Sequence, residues 1–305
     1  MSNLPRTFSL SPLLMFTSAF LFAVLDILIK ILGPSFRVWD IAFYRFGFGL
    51  VILTTVFGWQ GNPFRSRNIK LLVIRGIAGS VAFLSLVTAI RLIPVSTAMI
   101  LFYSFPAFAA FFAALIFKEK ITAAEVFCVI IAFCGVTVLF DFSLQGSLFG
   151  RCMGLIGGAA AGITVCLIKK LRETNGPVII YLYFCLIGTL VTLPSFVANP
   201  QIPTTRDDML IVGGIAVTSI VAQLIMNQGF QHCKSWEGGL FLTSELIFVS
   251  IFGIFLLGEQ VDWHFWAGGM LIFGSVVALN YFNARSANNL AGLNIRIDPE
   301  DEKSS

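Results

Sequence analysis

The chain has 305 residues, 57% of them hydrophobic and only 12% charged, with a mean hydropathy of +0.89. Soluble domains carry roughly twice that charged fraction, which excludes an ordinary soluble enzyme or binding domain. The net charge of +4 comes from basic residues scattered at the ends of apolar runs, so it makes no nucleic-acid-binding surface.

The N-terminal MSNLPRTFSLSPLLM leads into an apolar run at 12–32, which is too long for a typical signal peptide and reads as a retained first helix. Further runs follow at 39–58, 71–91, 95–117 and 122–140, then at 152–170, 177–198, 209–231, 238–257 and 263–283. Each is about long enough for a helix to cross a hydrocarbon core of ~30 Å. The expected fold is an all-α integral membrane protein with ten transmembrane helices and a polar cytoplasmic tail at 284–305. Six cysteines (Cys128, Cys134, Cys152, Cys166, Cys185, Cys233) fall mostly inside the runs without a CxxC spacing and read as small apolar residues.

With the N-terminus in the cytoplasm, 13 basic residues fall on the inner side and 5 on the outer, while Arg45 and Arg75 lie within spans. That bias places a multi-pass protein in the cell membrane with both termini cytoplasmic. Shifting the sequence by 140 positions lays residues 89–122 on 229–262 without a gap, matching Ser104 with Ser244, Phe108 with Phe248, Phe112 with Phe252 and Glu119 with Glu259. The spans thus divide into repeats at 12–140 and 152–283. Five spans per repeat is an odd number, so the second copy enters the membrane the other way up, as in many secondary transporters.

The turn FKEKIT (117–122) and its twin GEQVD (258–262) fit this inversion, because Lys118 and Lys120 become Gly258 and Gln260 on the opposite side. Thr122 and Glu125 have capping-box spacing, and Asp262 stands where it can cap the last helix.

The stretch RLIPVSTAMILFYSFPAFAAFFAALIFKEKIT resembles the EamA domain of the drug/metabolite transporter superfamily, and LIFVSIFGIFLLGEQVD is similar to the same segment in a second copy. The resemblance covers about residues 12–283. It implies a central cavity lined by the first, third, fourth, sixth, eighth and ninth spans. It also implies a small-molecule substrate from a range that includes amino acids, nucleotide sugars, S-adenosylmethionine and drugs, moved in either direction.

Ionisable residues inside spans are rare and costly, so each is a candidate for function. Asp26 shares a helix face with Ser18 and Phe22, and its repeat counterpart is Val165. It is either a cavity carboxylate for a substrate amine or a proton, or an i,i+4 partner of Lys30. Glu245, in TSELIF, aligns with Phe105 and has no basic neighbour in sequence, so its partner is another helix or the substrate. Arg75 reads as a snorkelling residue. Arg45 lies deeper and needs an acceptor, with Asp40 the nearest candidate.

Gln223, Asn227 and Gln231 recur every four residues and share a face toward a cavity or toward neighbouring helices. Tyr103 and Ser104 stand just before Pro106, which frees a mid-span carbonyl. Gly154, Gly158 and Gly162 form a small-residue ridge for packing within a monomer or between two copies.

These features point to a secondary transporter of a small polar or amphipathic metabolite, with protons as a candidate coupling ion and Asp26, Tyr103, Gln223, Asn227 and Glu245 as candidate substrate-binding residues. A channel or assembly scaffold is the alternative. An enzyme is disfavoured, since His232 and His264 sit at span ends without metal spacing and no phosphate-binding loop is present. No cofactor is expected.

Overall fold

The computed structural model describes residues 10–282, apart from 34, 60–63, 65, 118–122, 140–146, 172–173, 233–241, 243, 261–262, 276 and 279–280. Residues 118–122 of FKEKIT, including the capping-box Thr122, together with Asp262 and the tail at 284–305, therefore lie outside the described residues.

All regular structure among the described residues is helical. The helices are α1 (Leu10–Ile31), α2 (Val38–Gly58), α3 (Ile69–Leu92), α4 (Val95–Phe102), α5 (Phe105–Phe117) and α6 (Ala123–Leu139). They continue with α7 (Leu148–Leu171), α8 (Pro177–Ala198), α9 (Arg206–His232) and α10 (Ser244–Leu257), and α11 spans residues 263–275. Six of them, α1, α2, α3, α7, α8 and α9, carry segments long and apolar enough to cross a membrane.

The run expected as one span at 95–117 is two helices. Pro106 has no N–H to return to the carbonyl four residues back, so the helix breaks at Tyr103 and Ser104. The Ser104 hydroxyl closes the break by donating to the Leu101 carbonyl at 2.6 Å. The freed Phe102 carbonyl faces α7, where a Cβ added to Gly158 would stand 2.9 Å from it and 2.9 Å from Ser104 Oγ. A Cβ on Gly162 would meet the Ala109 nitrogen and Phe108 Cβ at 2.8 Å. The small-residue ridge is thus spent inside the chain, letting α7 lie against the broken α4–α5 pair.

The two halves of the sequence interleave. Helix α1 packs along α9 and α10, α2 along α8, and α3 along α7 and α8. Ser18 of α1 donates to the Ala222 carbonyl of α9 at 3.0 Å, while Leu28 approaches Gly214, so these two helices run antiparallel. Apolar side chains such as Val56, Leu190, Val217 and Phe255 face outward, and Ser18, Asp26, Arg45, Arg75 and Glu245 are buried. Charge inside and hydrocarbon outside is the arrangement a bilayer demands.

Candidate functional site

Two carboxyl groups from opposite ends of the sequence meet in the core. Asp26 comes from the last third of α1 and Glu245 from the first turn of α10, with residue exposures of 3% and 8%. Their side chains lie within hydrogen-bonding reach of one another. A carboxylate is an acceptor only, so a hydrogen bond between the two requires a proton on one of them. Like charges this close in a desolvated site are strongly disfavoured.

Tyr103, placed by the α4–α5 break, extends the cluster. Its hydroxyl oxygen stands 2.8 Å from Glu245 Oε2 and 2.9 Å from the Leu242 carbonyl oxygen. A phenol has one proton and a carbonyl can only accept. Both contacts are full hydrogen bonds together only when Tyr103 donates to Leu242 and a protonated Glu245 donates to Tyr103. Asp26, Glu245, Tyr103 and Leu242 thus form a line in which each added proton completes a hydrogen bond. Asp26 Oδ2 remains buried without a partner.

A basic group lies near the carboxyl pair. Arg45 of α2 is within electrostatic reach of both carboxyl groups, and its guanidinium sits 3.9 Å from the centre of the Phe83 ring. Arg75 of α3 sits 4.2 Å over the Phe184 ring and is 3% exposed. It does not snorkel, because it is buried with its guanidinium against Phe184 of α8. Asp40, the acceptor proposed for Arg45, is consumed by Arg37, whose Nε and Nη2 each approach an Asp40 oxygen at 2.9 Å.

The i,i+4 reading of Asp26 with Lys30 fails as well. Lys30 Nζ donates to the carbonyls of Ile90 and Ile93 at 2.6 Å each, closing the C-terminal end of α3. Beside it, Glu259 reaches across to the start of α4. It accepts from the Val95 and Ser96 backbone N–H groups and, at 2.6 Å, from the Ser96 hydroxyl. This is a helix N-terminus capped by a carboxylate from the other half of the chain. Sequence reasoning treated Glu259 as part of a turn, although its match with Glu119 in the repeat was a signal.

Gln223 is buried at 7% exposure but stands one residue from Ala222, at the level of Ser18. Eight residues of helix, roughly 12 Å, separate that level from Asp26. Gln223 is therefore not brought into the carboxyl cluster. Asn227 lies a further turn along α9, and its side chain, like that of Gln231, is outside the described residues.

The model of the EamA-like transporter family matches residues 9–141 and again 148–281. The chain belongs to the EamA-like transporter family. It is accordingly a multi-pass membrane transporter and not an enzyme. Among curated relatives, the pseudopaline exporter CntI of Pseudomonas aeruginosa is 25% identical over 270 residues, covering 88% of this chain and 95% of its own. The S-adenosylmethionine uptake transporter of Rickettsia prowazekii is 22% identical, covering 87% and 90%. Human solute carrier family 35 member G1 is 21% identical, covering 85% and 76%. A protein crystal structure 15% identical in sequence superposes with a TM-score of 0.64, over 92% of this EamA-like chain and 99% of its own, and shows the same fold.

Proposed function

We propose that this EamA-like protein is a secondary active transporter of a small polar or amphipathic metabolite, such as an amino acid or a related compound. Its two family-model matches correspond, in this reading, to inverted five-helix repeats, ten spans in all, with both termini cytoplasmic. Access alternates at a central site between them. Asp26, Tyr103 and Glu245 bind the substrate's cationic group there, and Gln223 and Asn227 line the path along α9. The observation that carries the reading is the buried Asp26–Glu245–Tyr103 line, assembled from three helices drawn from both halves of the chain. Relatives named as an exporter and as an uptake transporter support metabolite movement, and an alternating site runs in either direction according to the gradients.

Protons are the coupling ion in this reading, because a substrate cation and a shared proton compete for the same carboxyl pair. Purified protein in proteoliposomes, loaded with labelled amino acids and subjected to a pH gradient, tests it. Uptake or efflux should follow the gradient in wild type and lose that dependence in Asp26→Asn and Glu245→Gln. Unchanged rates and pH profiles in both variants would sink it. Passive flux without saturation would favour the channel alternative.

A further inference from the structure

Beyond the acidic pair, the core holds arginine N–H groups with no acceptor. Arg45 Nε and Arg75 Nε and Nη1 are buried and make no hydrogen bond, while the buried Tyr181 hydroxyl faces the Cys185 thiol, a weak partner. Arg45, Arg75 and Tyr181 come from α2, α3 and α8, and are 6%, 3% and 1% exposed. Both arginines lie within electrostatic reach of Tyr181, of Cys185 one turn further along α8, and of one another. A buried donor left unmatched costs about 1–3 kcal/mol, and more when it is charged. Such groups persist where something else supplies the acceptor.

We infer that Arg45, Arg75 and Tyr181 form a subsite for the carboxylate of the transported solute, beside the carboxyl pair that receives its ammonium group. The inference rests on the transporter reading and narrows the substrate to a zwitterion. Three observations support it besides the orphaned donors.

The first is charge. A hydrogen bond between Asp26 and Glu245 needs a proton on one of them, so in that state the two together carry at most one negative charge. Two guanidiniums stand against that, and Asp40 is already held by Arg37. The core therefore holds at least one unbalanced positive charge at membrane depth, which an added carboxylate would neutralise.

The second is orientation. Each guanidinium lies against a phenylalanine ring, Arg45 on Phe83 at 3.9 Å and Arg75 on Phe184 at 4.2 Å. Ring contact stabilises the cation but accepts none of its in-plane N–H groups. Arg45 Nε and Arg75 Nε and Nη1 are thereby left without an in-plane acceptor, which a carboxylate oxygen would supply.

The third is complementarity along the cluster. Asp26 Oδ2 lacks a donor, and Arg45 Nε and Arg75 Nε and Nη1 lack an acceptor. An ammonium and a carboxylate on one solute would satisfy both.

The test is a matched solute series presented to the purified full-length protein in nanodiscs: leucine, methionine and histidine, their primary amides, and the amines left by decarboxylation. Thermal stabilisation reports binding, and uptake into proteoliposomes reports transport. At least one acid should bind at least tenfold more tightly than its own amide and amine. Arg45→Gln and Arg75→Gln should each bring that ratio close to one, and Arg45→Lys should restore part of it. Equal binding of acids and amides by wild type, or no binding by any acid, overturns the subsite, and neither result depends on a variant folding. Acid-selective binding without uptake would leave the subsite standing and count against the transporter reading alone.

Discussion

Tyr103 and Glu245, 142 positions apart in sequence, meet at 2.8 Å across the junction of α4, α5 and α10. Tyr103 stands at the C-terminal cap of α4, where the chain breaks before Pro106. Tyr103→Phe keeps the ring and removes only the hydroxyl. It should leave expression and fold intact while weakening binding of cationic solutes about tenfold, since a hydrogen bond to a charged partner is worth roughly 1.5–3 kcal/mol. Thermal shift with the same solutes in wild type and variant checks this, and a variant with unchanged affinity would remove Tyr103 from the site.

The shared carboxyl pair gives a pH dependence whose sign follows from competition. Acidification fills the pair with protons, and each proton excludes a substrate cation. The apparent KM for a cationic or zwitterionic solute should therefore rise as pH falls on the side where substrate binds. Among the described residues, the charged and titratable groups that interact with the pair are Tyr103 and Arg45. In Asp26→Asn the slope of KM against pH should flatten. Initial-rate measurements over a series of buffers decide the matter, and a KM that falls on acidification would reverse the proposed role of the proton.

Glu259 holds the first two free N–H groups of α4. Glu259→Gln keeps the shape but removes the charge that favours a helix N-terminus, a loss of about 1 kcal/mol. Hydrogen exchange at Val95 and Ser96 should accelerate by about fivefold, the equilibrium factor for a loss of that size. Exchange at the buried α3 residues Val87 and Ala89 should stay unchanged. Equal protection of the α4 amides in both proteins would show that the carboxylate is not their acceptor in solution.

Gly158 and Gly213 make a contrast within one fold. A methyl group on Gly158 would stand 2.9 Å from the Phe102 carbonyl oxygen, whereas one on Gly213 would meet nothing within 4 Å. Gly158→Ala should lower the melting temperature by several degrees, in line with overpacking costs of about 1–3 kcal/mol. Gly213→Ala should be neutral or slightly stabilising, because alanine suits a helix better than glycine. Fluorescence-detected melting of both variants in one detergent provides the comparison.

The sequence displayed the long helices and the odd charges plainly. Apolar runs read as spans agree with α1, α2, α3, α7, α8 and α9 within a few residues, because burial in lipid and burial in protein call for the same side chains. Asp26 and Glu245 stood out because the repeat does not match itself there. What stayed hidden is what depends on tertiary contact. Nothing near Lys30 in sequence reveals that it closes α3 instead of pairing with Asp26. Arg75 looked free to reach the surface because the ring of Phe184 that covers it lies over a hundred positions away. Gln223 lies on α9, and its height along α1 was set by the antiparallel docking of that helix, which periodicity does not encode.

The composition of the charged core also orders the birth of the protein. The ribosome delivers Asp26, Arg45 and Arg75 to the membrane well before Glu245 emerges. During that interval two guanidiniums have Asp26 at hand, and the nascent bundle is rich in positive charge. Helix α10 then arrives with an acidic residue in its first turn, a poor passenger for lipid but a welcome one for that interior. Truncation of the chain before α10 should accordingly leave a product that the membrane's quality control removes quickly, whereas α10 supplied as a separate polypeptide would find its docking place already charged to receive it.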